Sequence, residues 1–596
     1  MKTASEKIAA LRAAMQQNGV DGYLVPSADP HMSEYLPDYY QTRSWLSGFD
    51  GSAGTLVVTD KHAALWTDGR YFIQAQRQLE GSGIVLMRMA QKDTPSIEDW
   101  LAQQLPEQGV MGVDGMVTAT ATVRKLESAF CGKKITLKDV DLISALWKDR
   151  PAMPATPAWL LEERFAGKTA GQKLQIVRET LAKKHADATL VSRLDSVAWL
   201  MNLRAADIDY NPFALAYCLV TNEQTTLFIN EARLPAEAAR ALGAQGIAVA
   251  PYETAEQALC AIEKPSVFLY EPAGLSYTLC RALEQNPNVT LLAGDEPIQL
   301  LKGVKDETEI KNIKNAHIKD GVAMVGFAME LQQKMEKNES VTECDVSDMM
   351  LRLRTAQKDS LGASFGTIAA CGANAAMMHY HPTQDNCAVL PQHGFLLVDC
   401  GGQYRDGTTD ITRTYALGTL TDEEKEFYTL VLKSHIGMAS AVFMEGCTGG
   451  NLDILARSAM WKRGLDYRCG TGHGVGFVGG VHEGPQSLRI NNAVPFAAGM
   501  TVTDEPGIYE EGRVGVRIEN ELLCKEWGTT EYGRFLCFEP ITYCPIDTAP
   551  VRVEMLTDDE LHWLNDYHAM VETVLAPHLD APQRTWLAGA CAPLVR

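Results

Sequence analysis

One stretch constrains this chain more than any other: Phe395 to Thr414, FLLVDCGGQYRDGTTDITRT. It begins as an apolar run and ends in alternating polar and β-branched residues, with a tight glycine-rich turn between, which predicts a β-hairpin. Asp399 lies where the first strand leaves its apolar run, and Asp410 lies on the return strand. Two carboxylates facing each other at short range repel and take up protons. A divalent cation between them removes that conflict, so the pair reads as half of a metal site. Alone, two Asp flanking a turn are more often turn formers than metal ligands.

The chain has 596 residues, 46% of them hydrophobic, enough for more than one core and more than one domain. Its formal net charge of −21, with no dense Lys/Arg cluster, argues against a nucleic-acid surface and for a well-solvated exterior. No apolar run approaches the length of about eighteen residues that a membrane span requires. The N-terminal segment carries charges where a signal peptide would stay apolar. Ile8, Leu11 and Met15 repeat at helical spacing, so an amphipathic helix of the folded protein is expected there. Fourteen cysteines scattered from Cys131 to Cys591, with no CxxC, fit free thiols and a cytoplasmic protein.

Residues 4 to 25 read helix then strand, with Gly19 near the helix end. The turn-rich SGFDGSAGT (Ser47 to Thr55) leads to the strands TLVVT and AALWT and to Asp68-Gly69-Arg70-Tyr71. Beyond the proline-rich linker Asp149 to Trp159 the plan repeats. Lys173 to Val191 is again helix then strand, SVAWLMNLR answers the Trp45 region, and TTLFI answers AALWT. The second unit ends near PIQLLKGVKDETEI, where a proline-led strand is expected to pass through Lys305 and Asp306 into a helix. Long helices (Ile310 to Met335, Thr342 to Gln357) then precede strands and glycine-rich turns, which is α+β material. A final helix is capped by Thr557 with Glu560 three residues on.

Four further signals fall in the third segment. His473 sits among glycines in GTGHGVGFVGGVHEGP, where the backbone can come close to whatever the imidazole binds. In TVTDEPG a strand ends in Asp504-Glu505-Pro506. In GVRIENELLC, Arg517 and Glu519 alternate with Val516 and Ile518, so the polar pair shares one face of a strand. In MMHYHP, His379 follows an apolar strand start. Two Asp, one His and two Glu make an oxygen-rich set with one imidazole. It suits a pair of divalent ions, Mn²⁺ first and Zn²⁺ or Co²⁺ next. Two such ions generate hydroxide near neutral pH and polarise a carbonyl for hydrolysis.

The order DCGGQYRDGTTD, GTGHGVG, TDEPG, RIEN resembles the pita-bread (M24) metallopeptidases, the family of methionine aminopeptidase, prolidase and aminopeptidase P. SGFDGSAGT and WTDGRYF, with the tandem α/β units, are similar to its long, three-domain cytosolic branch, the Xaa-Pro aminopeptidases. The likeness spans nearly the whole chain. It implies two tandem creatinase-like α/β domains, 1–150 and 151–303, before a pita-bread α+β catalytic domain, 304–596.

The resemblance also implies roles for single residues. Asp399 and Asp410 would be metal ligands with Asp410 bridging, His473 and Glu505 would bind one ion, and Glu519 would bridge both. His379 and His482 fall where the family places substrate-binding and proton-handling histidines, with Glu505 relaying a proton. Arg70 falls where the long form contacts substrate, and Arg517 would orient the carboxylates from behind. The implied activity removes the N-terminal residue from short peptides with Pro second, by a hydroxide bridging two metal ions, in a homodimer. A dipeptide-only prolidase and a non-catalytic pita-bread binding module are the alternatives. One departure stands out: Cys469 occupies a position four residues before His473 that is often His in relatives, with His381 a partial substitute.

Overall fold

The computed structural model describes residues 3–596, which divide into two compact units: residues up to Leu161 with Lys168–Ile298, and Glu162–Gly167 with Gln299–Arg596. The first unit holds two six-stranded sheets of one design. In the first, the strand order is Val85–Arg88, Ala63–Thr67, Thr55–Thr59, Gly22–Pro26, Val110–Val113, Thr136–Asp139. In the second it is Ile247–Ala250, Thr225–Ile229, Ala216–Thr221, Ala188–Val191, Ser266–Tyr270, Val289–Ala293. Both sheets run parallel, antiparallel, antiparallel, parallel, parallel from edge to edge. AALWT and TTLFI occupy the same place in the two sheets, so the repeat read from element order is a repeat of topology. Each begins with a helix, Ala4–Gln17 and Ala170–Lys183, closed at its start by a Thr capping box. Ile8, Leu11 and Met15 are the buried face of the first helix.

The second unit opens differently from the expectation. Pro297–Gly303 is a helix, not a strand. Proline is at home in a first helical turn, where its missing N–H has no partner to lose, and Ile298 and Lys302 are buried one turn apart. After it comes the 30-residue helix Glu307–Glu336, begun by an Asp306–Glu309 capping box, and then Glu343–Thr355. The segment MMHYHP also departs from the strand expected: Met377 closes a short 3-10 turn, Gly372–Ala376, and an irregular loop follows. Ala375 and Ala376 of that turn, and Met377, are buried by packing rather than by strand pairing.

The hairpin forms and is longer than a simple one. Phe395–Cys400 pairs antiparallel with Ile411–Ala416, placing Asp399 opposite Thr412, while Gly402–Tyr404 and Gly407–Thr408 pair again nearer the turn. Ile368–Cys371 flanks Phe395–Cys400 on the other side, with Ile368 opposite Asp399. A second sheet carries Thr501–Asp504, Asn520–Thr530, Gly533–Pro540 and Val442–Met444. RIEN is not one strand. The chain leaves strand Val514–Arg517 and enters Asn520–Thr530, with Ile518 and Glu519 between.

Glycine is required where His473 is delivered. A Cβ on Gly472 would lie 1.7 Å from the Thr503 carbonyl oxygen, and one on Gly474 would lie 2.2 Å from that of Glu483. Gly472→Ala should therefore push strand Gly472–Gly474 off Thr501–Asp504 and destabilise the fold by about 1–3 kcal/mol. Urea unfolding of the two proteins checks this, and equal midpoints would contradict it.

Candidate metal centre

All five carboxylate and imidazole candidates lie in the second unit, at strand ends or junctions. Asp399 is on Phe395–Cys400, Asp410 just precedes Ile411–Ala416, and His473 is on Gly472–Gly474. Glu505 just follows Thr501–Asp504, and Glu519 sits at the turn into Asn520–Thr530. Ligand atoms of Asp410, His473 and Glu519 all lie within 4.8 Å of one another, and the three residues are buried. His473 Nε2 is 3.5 Å from Asp410 Oδ2 and 3.4 Å from Glu505 Oε1. The other ring nitrogen, Nδ1, is 3.0 Å from the Gly474 carbonyl. A carbonyl only accepts, so Nδ1 carries the proton and the Nε2 lone pair faces the carboxylates.

The charge balance of this cluster calls for a cation. Burial, then Glu519, Asp399 and Glu505, pushes the Asp410 carboxyl well above the ordinary range. Burial, then Asp399 and Glu505, does the same to Glu519. Glu505 is raised to about 7, mainly by burial, with Arg517 pulling the other way. Asp399 Oδ1 and Glu519 Oε1 are buried without a hydrogen-bond partner. Buried carboxylate oxygens without donors are costly unless a proton or a metal ion satisfies them. The donor set, oxygens with one imidazole nitrogen, fits divalent ions of the hard-to-borderline kind.

Arg517, 2% exposed, organises the carboxylates. Its Nη2 donates to Asp399 Oδ2 at 2.5 Å, its Nε to Thr412 Oγ1 at 3.1 Å and its Nη1 to Tyr509 Oη at 2.7 Å. Thr412 Oγ1 in turn donates to Glu519 Oε2 at 2.7 Å. One guanidinium thus fixes Asp399 directly and Glu519 through a hydroxyl. On the other face of the same strand Arg413 donates to the Glu519 carbonyl at 2.6 Å and to Asn520 Oδ1 at 2.8 Å. His435, fully buried, ties the strands that carry Glu505 and Glu519. Its Nδ1 lies 3.0 Å from Asp504 Oδ2, and its Nε2 lies 3.1 Å from Asn520 Nδ2.

The remaining candidates are placed as follows. His482 is half-buried, and its ring meets that of His473 edge-on, centroids 4.2 Å apart. His379 is half-buried and follows Met378, whose carbonyl accepts from Arg517 Nη2 at 3.4 Å. His381 is exposed. Cys469 is half-buried and packs against the hydrophobic cluster that includes Val516 and Ile518; among the described residues it is outside the group of potential ligands. Arg70 lies in the first unit, with Nε and Nη2 donating to the two Asp68 oxygens at 2.9 and 2.8 Å and Glu34 at 3.6 Å from Nη1.

Sequence reading missed Thr412, Arg413, Tyr509, His435 and Asn520. Thr412 carried a signal, since it stands two residues after Asp410 and period two puts both on one strand face. His435 carried none, because nothing in a helix read alone shows which strand it faces.

The comparisons with known proteins show the family of the chain. The profile of Metallopeptidase family M24 matches residues 311–526, and that of the C-terminal region of the M24 peptidases matches 534–594. The Creatinase/Prolidase N-terminal domain is matched twice, at 7–146 and 149–309. Aminopeptidase P2 of Arabidopsis thaliana is 37% identical over 99% of this chain and 89% of its own length. The chain belongs to the M24 metallopeptidase family. A probable Xaa-Pro aminopeptidase P of Laccaria bicolor is 38% identical over 99% of this M24 chain and 94% of its own. The X-prolyl aminopeptidase of Caenorhabditis elegans, described as a cytosolic enzyme with a di-nuclear active site, matches in structure with a TM-score of 0.95. It is 33% identical, with 100% of both chains covered. Two creatinase-type N-terminal domains followed by a pita-bread domain are therefore the architecture of this chain. Among the described residues no helix is long and apolar enough to cross a membrane.

A pH dependence follows for the metal-free chain. Glu505 is raised in the fold from its ordinary 4.5 to about 7, and Asp410 and Glu519 move the same way. Their protonation stabilises the fold fully below the ordinary values, and that contribution is lost as pH rises through about 7. The Tm gap between metal-loaded and metal-free protein should widen from about pH 5 to about pH 8. Differential scanning fluorimetry with and without chelator measures it; a constant gap would contradict the carboxylate account.

Proposed function

We propose that this M24 chain is an Xaa-Pro aminopeptidase, releasing the N-terminal residue from short peptides whose second residue is Pro. The observation that carries the reading is the buried Asp410–His473–Glu519 group, with orphaned oxygens on Glu519 and on Asp399 beside it. Relatives named as probable Xaa-Pro aminopeptidases, matched over 99% of this chain, support it.

In this reading the residues divide the work. Asp399, Asp410, His473, Glu505 and Glu519 would hold two divalent ions, Mn²⁺ in preference to Zn²⁺ or Co²⁺. Such ions supply a water acidic enough to attack at neutral pH and polarise the scissile carbonyl. His379 and His482 bind the substrate and donate to the oxygen that gains charge at the reacting carbon. Glu505, whose Oε1 lies 3.4 Å from His473 Nε2, takes the proton from the attacking water and returns it to the leaving Pro nitrogen. Arg517 keeps Asp399 and Glu519 aimed. Arg70, in the first unit, is a proposed peptide-binding residue. The domain limits proposed are 1–150, 151–303 and 304–596, the assembly a homodimer and the compartment the cytoplasm, the last in line with a neighbour described as cytosolic.

The test is hydrolysis of Arg-Pro-Pro and of Xaa-Pro dipeptides after EDTA treatment, with Mn²⁺ then restored. Release of Arg from the tripeptide only when metal is present is the expected result. Cleavage of dipeptides alone would make the chain a prolidase, and no cleavage with any divalent ion would leave a binding module.

A further inference from the structure

His379 stands on a loop without regular structure, yet a substrate-contacting imidazole must be held to a fraction of an ångström. What holds the loop is Glu343, the first residue of helix Glu343–Thr355 and 0% exposed. Its Oε1 accepts from the Cys371 N–H at 2.8 Å and from Asn374 Nδ2 at 3.2 Å. Its Oε2 accepts from Asn374 Nδ2 at 3.0 Å, from Tyr380 Oη at 2.8 Å and from the Ala388 N–H at 2.8 Å. These donors are all neutral and bracket the segment 371–388. The charge they surround also lies at a helix N-terminus, where the backbone favours it. Main-chain bonds add a second tie at the same place, Glu343 N–H to Ala388 O at 2.9 Å and Leu390 N–H to Val341 O at 2.8 Å.

The other side of the loop rests on the metal-site strands. A Cβ on Gly515 would lie 1.8 Å from the Ala375 carbonyl oxygen, so the loop is packed on strand Val514–Arg517. Cys371 ends the strand whose Ile368 faces Asp399. His379 is thus flanked by two fixed points: Met378, whose carbonyl is held by Arg517, and Tyr380, whose phenol is held by Glu343. Burial and the Glu343 carboxylate both push the Tyr380 phenol upward, so it stays a donor.

We propose that Glu343 is a positioning residue for the peptidase reaction: through Tyr380 and the two loop-end N–H groups it sets where His379 stands beside the metal ligands. This rests on the reading in which His379 contacts the peptide. A carboxylate is required and not merely its shape. A glutamine in its place would turn an NH₂ toward a donor on one arm or the other, breaking at least one bond and leaving a buried N–H or O–H unpaired.

The experiment pairs kinetics with hydrogen exchange on the metal-loaded chain. Glu343→Gln should lower kcat/KM on an Xaa-Pro tripeptide by about 100-fold and Tyr380→Phe by about 10-fold, with metal content near that of the unaltered chain. Placed in a His379→Ala chain, the same two changes should alter kcat/KM by less than about twofold, because the group they act through is gone. A residue that only supports the fold would lower both backgrounds by the same factor, and that result overturns the proposal. Exchange in 372–388 should quicken in Tyr380→Phe, the milder variant, while the strand Phe395–Cys400 stays protected. Unchanged exchange there in both variants would also overturn it. If the unaltered chain cleaves no such peptide, the aminopeptidase reading fails, and the exchange measurement still decides whether Glu343 pins the loop.

Discussion

Everything in the second unit is arranged around the burial of four carboxylates against one imidazole. Bringing Asp399, Asp410, Glu505 and Glu519 together away from water is opposed both by desolvation and by their mutual repulsion, and the raised carboxyls of Asp410 and Glu519 are the signature of that conflict. Arg517 brings a positive charge into the cluster, and it pairs with a single oxygen of Asp399. The rest of the negative charge has to be met by protons or by metal ions. The site therefore destabilises the apo fold, which is the usual relation between a preorganised metal centre and the protein around it.

The cluster is feasible in geometry because its members sit on rigid elements that converge. The hairpin offers Asp399 and Asp410 from its two arms. The crossing strands offer His473, Glu505 and Glu519 from theirs. Between them run short side-chain bridges: Arg517 to Thr412 to Glu519, and Asp504 to His435 to Asn520. Glycine at 472 and 474 lets the His473 strand lie closer to its neighbours than any side chain would allow. The loop that carries His379 has no regular structure, and a buried carboxylate ties it.

Much of this was legible in the residues. The apolar run before Asp399, the glycines around His473, the strand ending at Asp504-Glu505 and the alternation through Arg517 and Glu519 each announce a local geometry, and the structure brings these residues to one place. The repeat of the two N-terminal sheets was legible in element order although hardly in identity. Other features could not be read because they are tertiary. Pro297 opens a helix where its position before an apolar run suggested a strand, and the loop of Met377 to His379 is bracketed by Glu343, more than thirty residues earlier, which accepts from the Cys371 and Ala388 N–H groups. His435 and Arg413 looked like ordinary helix and strand residues, since their partners are distant in the chain. Period and composition describe an element; they do not say what it meets.

We propose that the buried carboxylate cluster would hold two divalent ions through Asp399, Asp410, His473, Glu505 and Glu519. The most direct measurement is metal analysis of the chain after dialysis against Mn²⁺, alongside Asp410→Ala. The account predicts two equivalents per chain in the first and loss of bound metal in the second, with the fold retained by circular dichroism. Full occupancy in Asp410→Ala, or no stoichiometric metal in the unaltered chain, would contradict it.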